Sequence, residues 1–152
     1  MRNLMAVAAC VLTLATPGCA AALDDEARWN YAYTSGVATA TETDDRGRVT
    51  ATITCRPPTG DIVLSDFTLA SAGRRARTTA VRIGAMSVNV PSRVEGRGRT
   101  RALMINLPQR PPILAAVQPT DQLSVTVNNR TRTFARGGPD KMKEVAYACW
   151  GS

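Results

Sequence analysis

The chain has 152 residues, 19 basic against 12 acidic, for a formal net charge of +7, and it contains no histidine. That length suits one domain around one modest core. Without histidine there is no Ser–His or Cys–His nucleophile couple, no imidazole ligand for zinc, and no side chain that ordinarily titrates near neutral pH.

Arg2 gives the start a positive charge, and Leu4 to Ala15 form an apolar run too short to span a bilayer. Pro17-Gly18 breaks that run, and Ala20-Ala21-Ala22 offers a small-residue cleavage site. Residues 1–22 are therefore expected to be a signal peptide and 23–152 a single exported β-rich domain. The periplasm is the expected compartment, with secretion or a lipid tether as alternatives. The tether would use Cys19: Gly18-Cys19 fits the end of a lipoprotein signal, whereas Thr16 and Pro17 depart from it. Otherwise Cys19 is discarded with the signal, as Cys10 is. Only lipidation of Cys19 would attach the protein to a membrane.

Two cysteines remain, Cys55 and Cys149. An even count in an exported chain argues for a disulfide, with two buried free thiols as the alternative. Such a bond would close most of the domain, a loop for which chain entropy predicts about 4–5 kcal/mol. Loss of Arg2 leaves a net charge of +6, and every remaining base except Lys141 and Lys143 is arginine.

After an acidic lead-in (Leu23 to Glu26), Trp29, Tyr31 and Tyr33 alternate on one face of an expected edge strand, covering one end of the core, with an aromatic binding strip as the alternative. Val37 to Thr43 and Arg48 to Cys55 form a hairpin around the turn Asp44-Asp45-Arg46-Gly47. The period of two places Val49, Ala51, Ile53 and Cys55 toward the core and Thr50, Thr52 and Thr54 outward. Two adjacent aspartates make no six-oxygen calcium site. Arg56 to Gly60 is a loop, Asp61 to Phe67 a strand, and Leu69 to Ala76 a turn. Thr78 to Val90 reads as one long strand whose apolar phase flips at Gly84-Ala85, which predicts a bulge or bend there.

Pro91 to Thr100 is expected to be a loop, and Arg101 to Leu107 a nearly continuous apolar strand, hence central. Pro108 to Pro112 ends it, and Ile113 to Val117 suits a single helical turn. Gln122 to Val127 and Arg130 to Ala135 form a hairpin about Asn128-Asn129, because Asn tolerates positive φ. Asn129-Arg130-Thr131 matches the glycosylation triplet by accident of that turn. Pro139 and Asp140 then start a helix. Met142, Val145, Ala146 and Cys149 make one apolar stripe along it. The fold expected is mainly β: an antiparallel sandwich or partly open barrel of about seven to eight short strands with one C-terminal α-helix.

No catalytic constellation, metal site or cofactor loop emerges. Two cysteines this far apart lack zinc-ligand spacing, and Gly96-Arg97-Gly98 is a bare Gly-x-Gly outside any strand–helix context. The expectation is a non-enzyme with no cofactor. The uneven feature is charge. Between Ser71 and Pro112 the only acid is Glu95, while Arg74, Arg75 and Arg77 precede the long strand and Arg97, Arg99 and Arg101 follow it. If extended, the second trio shares one side. These six are the candidate anion-binding residues, suited to phosphate or carboxylate on lipid headgroups, wall polymer or an acidic protein; the alternative is a solvated basic surface. Nucleic acid is not expected, because the stretch lacks interleaved aromatics and the compartment is wrong.

The early Trp/Tyr strand, the strand ending Thr54-Cys55, the Val125-Thr126-Val127 hairpin, and Phe134 to Gly138 leading into a helix that ends Ala148-Cys149-Trp150 resemble small periplasmic accessory proteins of type VI secretion (VasI-like) and related exported β-domains. The resemblance covers most of the exported chain, excludes its arginine-rich middle, and implies a non-catalytic envelope protein with its paired residues at Cys55 and Cys149. The expected function is a periplasmic or secreted binding or accessory protein with a protein or anionic envelope partner. Alternatives are a small-protein inhibitor of an envelope-attacking hydrolase such as a lysozyme, and a binder of anionic envelope polymer or lipid headgroups through the arginines.

Overall fold

The computed structural model describes residues 28–56, 60–107, 112–115 and 117–150. The expected signal peptide with Cys10 and Cys19, the acidic lead-in, and the loop segments 57–59 and 108–111 lie outside the described residues.

Nine strands and a C-terminal helix follow in chain order: β1 (Trp29–Thr34), β2 (Val37–Thr43), β3 (Val49–Cys55), β4 (Ile62–Asp66), β5 (Thr78–Ile83), β6 (Met86–Glu95), β7 (Ala102–Leu107), the single turn α1 (Pro112–Ala115), β8 (Leu123–Val127), β9 (Arg130–Thr133) and α2 (Gly138–Trp150). All pair antiparallel in one sheet of order β1-β2-β3-β4-β7-β6-β5-β8-β9. The sheet curls into a half-barrel, so of the two architectures expected the partly open barrel is the one formed. β7, the apolar run, lies at the middle of the order, as its composition predicts.

The strand count exceeds the expectation because Thr78 to Val90 is two strands. Ile83 pairs with Met86, so the phase flip at Gly84-Ala85 is a two-residue hairpin loop. Gly84 has φ +55°, and a Cβ there would come within 2.5 Å of the Asp121 carboxylate. β6 then continues through Pro91 to Glu95, residues expected to be loop. It pairs with β5 up to Pro91 and with β7 from Ser92 onward, so the sheet changes partner at the proline.

The hairpin β2–β3 departs from plain alternation. Glu42 pairs with Ala51 but Thr43 pairs with Val49, which leaves Thr50 as an extra residue. Beyond that bulge Val49 shares the side of outward-facing Thr43 and is 47% exposed, whereas Ala51, Ile53 and Cys55 face the core as expected.

Ile53, Leu64, Leu103, Ile105, Val81 and Val125 fill the inside of the curl, each fully buried. Such side chains contribute about 1.5–3 kcal/mol apiece on burial. α2 lies across β1, β2 and β3. Inward-facing Ala38, Ala40 and Ala51 leave room for it there, and Met142, Val145, Ala146 and Cys149 form its buried stripe. Trp29 is buried and donates from Nε1 to the Ala135 carbonyl at 3.2 Å; Tyr33, at the far end of the same strand, is exposed.

Candidate anion-binding site

Cys55 ends β3 facing inward, and Cys149 occupies the last turn of α2 on its buried stripe. The two are joined by a disulfide, Cα atoms 5.9 Å apart, across 94 positions of sequence. This bond and the packing of Gly138 against the Trp29 ring fix the helix at both ends.

At the opposite end of β3 a buried ionic latch holds the curl. Glu42 and Asp66 continue the inward phases of Ala38-Ala40 and Ile62-Leu64, and both are buried. Arg132 of β9 reaches between them. Its Nη2 pairs with Glu42 Oε2, and its Nη1 lies 2.8 Å from Asp66 Oδ2 and donates to the Thr50 carbonyl at 3.0 Å. Asp66 Oδ2 has no aligned hydrogen bond, so Arg132 is its electrostatic partner. Asp66 Oδ1 accepts from the Thr68 amide, the Thr68 hydroxyl and the Leu69 amide, at 2.7, 2.8 and 2.9 Å. Glu42 also accepts from Thr50 Oγ1 at 2.6 Å and from the Ala135 amide at 2.8 Å. The guanidinium sits 4.3 Å over the Phe134 ring. The last strand is thereby bound to β2, β3 and β4, with which it shares no backbone pairing. Sequence reasoning passed over this cluster. Its signal was a charged residue in the inward phase of three different strands, two of them acidic and one basic.

The predicted arginines lie in two connections at the end of the sheet where β4 ends and β7 begins; Asp66 pairs with Leu103 there. Arg74, Arg75 and Arg77 belong to the β4–β5 connection, whose Gly73 packs on Val94 and Leu103. A Cβ at Gly73 would come within 2.6 Å of Leu103. Arg97, Arg99 and Arg101 belong to the β6–β7 connection. That segment is not extended: Gly98–Thr100 is a 3-10 turn, closed by Thr100 Oγ1 donating to the Arg97 carbonyl at 2.9 Å, so the trio does not share one side by alternation. Arg101 is half-buried and the other five are exposed. Among the described residues none of the six pairs with a carboxylate.

The β2–β3 turn joins the same rim. Asp44 Oδ1 accepts from the Arg46 and Arg48 amides, each at 2.9 Å, and Oδ2 takes Arg48 Nε at 2.8 Å and Nη2 at 2.6 Å. The Arg48 side chain foremost, then these amides, hold the Asp44 carboxyl at about 2, against an ordinary 3.8. Between this turn and the β6–β7 connection opens a cleft of about 610 Å³ lined by Asp44, Arg48, Val49, Thr50, Phe67, Thr68 and Arg99. Of the six predicted arginines only Arg99 lines it. Val49 was not foreseen, because the bulge that turns it outward is invisible to simple alternation, and Arg48 and Phe67 read in the sequence only as strand ends.

No group of metal-ligating side chains occurs among the described residues, and no described helix is long and apolar enough to cross a membrane. Comparison with protein-family models, with curated proteins and with solved structures finds no match.

Proposed function

We propose that this chain is an exported, non-catalytic binding domain of the cell envelope that engages an anionic partner through its arginine rim. The supporting observation is the placement of Arg74, Arg75, Arg77, Arg97, Arg99 and Arg101 on two neighbouring connections with no carboxylate partner among the described residues. Guanidinium groups left in this state retain donors for bidentate contact with carboxylate or phosphate. The disulfide supports an oxidising compartment. The rigid frame beneath, stapled at one end and latched at the other, supports binding by a preformed surface.

The test is capture from envelope extract by the wild-type protein and by Arg97→Glu/Arg99→Glu/Arg101→Glu. All three positions lie outside the core, so the triple variant should keep its thermal transition and lose its partner. Undiminished capture by the variant sinks the reading. An envelope-attacking hydrolase as the main captured species would replace the accessory role with that of an inhibitor.

A further inference from the structure

We infer that the cleft beneath Arg99 seats one acidic sugar residue of an anionic glycan. This rests on the rim reading above and names its ligand class. Hydrogen-bond polarity in the cleft selects the ligand. Thr50 Oγ1 donates to Glu42 Oε2 and Thr68 Oγ1 donates to Asp66 Oδ1. Carboxylates only accept, so both hydroxyl protons are committed inward, and each threonine oxygen can offer the cleft only its lone pairs. Asp44 lies on the same wall, but its lone pairs are already taken by the Arg46 and Arg48 amides and the Arg48 guanidinium, so the free acceptors are the threonine oxygens. The cleft thus combines fixed acceptors, two guanidiniums (Arg48 and Arg99) and two partly exposed apolar side chains, Val49 and Phe67.

A complementary ligand brings three things together: hydroxyl donors for the threonine oxygens, an anionic group for Arg99, and an apolar face for Phe67 and Val49. Inorganic phosphate or sulfate has no apolar face. A sugar acid has all three on one ring. Arg48 already spends Nε and one Nη2 proton on Asp44, so its plane is fixed and Nη1 remains for the ligand. An acidic peptide has similar groups but would normally align on a free strand edge. Both strands that reach this cleft, β3 and β4, are interior to the sheet, and the Thr50 carbonyl there already accepts from the Phe67 amide, so no long free edge runs along it.

Isothermal titration with tetragalacturonate tests the assignment, alongside a neutral galactose tetramer, pentaglutamate and inorganic phosphate. Wild-type protein should bind the uronate at one site, and the other three should bind at least about tenfold more weakly. Arg99→Ala should weaken uronate binding about tenfold or more, the scale of one charged hydrogen bond. Arg97→Ala, the same charge change two residues away and outside the cleft, should weaken it less than about threefold. Equal losses in the two variants, or the galactose tetramer, pentaglutamate or phosphate binding as well as the uronate, would overturn the cleft assignment. Absence of uronate binding would overturn it too. In each of those cases the rim reading stands if the triple reversal still abolishes capture from extract, and falls with the cleft if it does not.

Discussion

Replacing Arg132 by methionine keeps most of the aliphatic volume and removes the charge that joins β9 to the first strands. Glu42 would keep its bonds from Thr50 and Ala135. Asp66 would keep three donors on Oδ1, but Oδ2, fully buried, would lose its electrostatic partner. The Thr50 carbonyl would lose the guanidinium donor, and Phe134 its stacked cation. Breaking a buried ion pair by removing one member costs about 3–5 kcal/mol, since the surviving charge stays in a poor solvent. Domains of this kind have about 5–15 kcal/mol in total. Urea unfolding of the oxidised protein should therefore show the midpoint falling by about a fifth or more. Adding Glu42→Gln and Asp66→Asn to Arg132→Met should recover part of the loss, because the stranded charges are then gone. A cost below about 1 kcal/mol for Arg132→Met, or further destabilisation by the added amides, would refute the latch.

The staple at the other end predicts a separate loss: Cys55→Ala/Cys149→Ala should lower unfolding stability by about 2–4 kcal/mol, and a change near zero would show that the bond does no stabilising. Gly96 has φ +80°, and a Cβ there would meet the Thr100 carbonyl at 2.3 Å, a backbone atom that cannot turn aside. Gly96→Ala should cost about 1–3 kcal/mol in thermal or urea unfolding and displace Arg99, so uronate affinity should fall with it; unchanged stability and affinity would contradict the described loop. The folded Asp44 carboxyl sits at about 2, below its ordinary 3.8, so the bonds it makes should be fully present above about pH 4 and lost as pH falls through 2. The Arg46 and Arg48 amide resonances should accordingly titrate near pH 2, and a midpoint near 4 would mean the carboxyl is free.

Much of the frame was legible because alternation and turn chemistry act locally. The stripe of Met142, Val145, Ala146 and Cys149 identified both the helix and its buried face. Asn128 and Asn129 both adopt positive φ, as their residue type allows. Errors arose where one residue changes the phase. Gly84-Ala85 could be a kink or a hairpin, and only pairing of Ile83 with Met86 decides. Thr50 as an extra residue puts Val49 on the wrong side of any period-two count. The latch was missed for a different reason: Glu42, Asp66 and Arg132 are far apart in sequence, and a charge on an inward phase reads as an interruption until its partners are in view. Arg99 was among the residues singled out, but its separation from Arg97 and Arg101 depends on a 3-10 turn that spacing does not reveal.

The molecule also has a head and a tail. The described chain begins at Arg28, next to Trp29 paired with Glu42 beside the arginine loops, and α2 carries it across the sheet to finish next to Cys55 at the far end. Coupled to a solid support behind Trp150, the protein should stand with its cationic loops outward. Coupled ahead of Arg28, it should turn them toward the support. The direction of mounting therefore decides whether a ligand in solution meets the cleft or the opposite, disulfide-bearing pole.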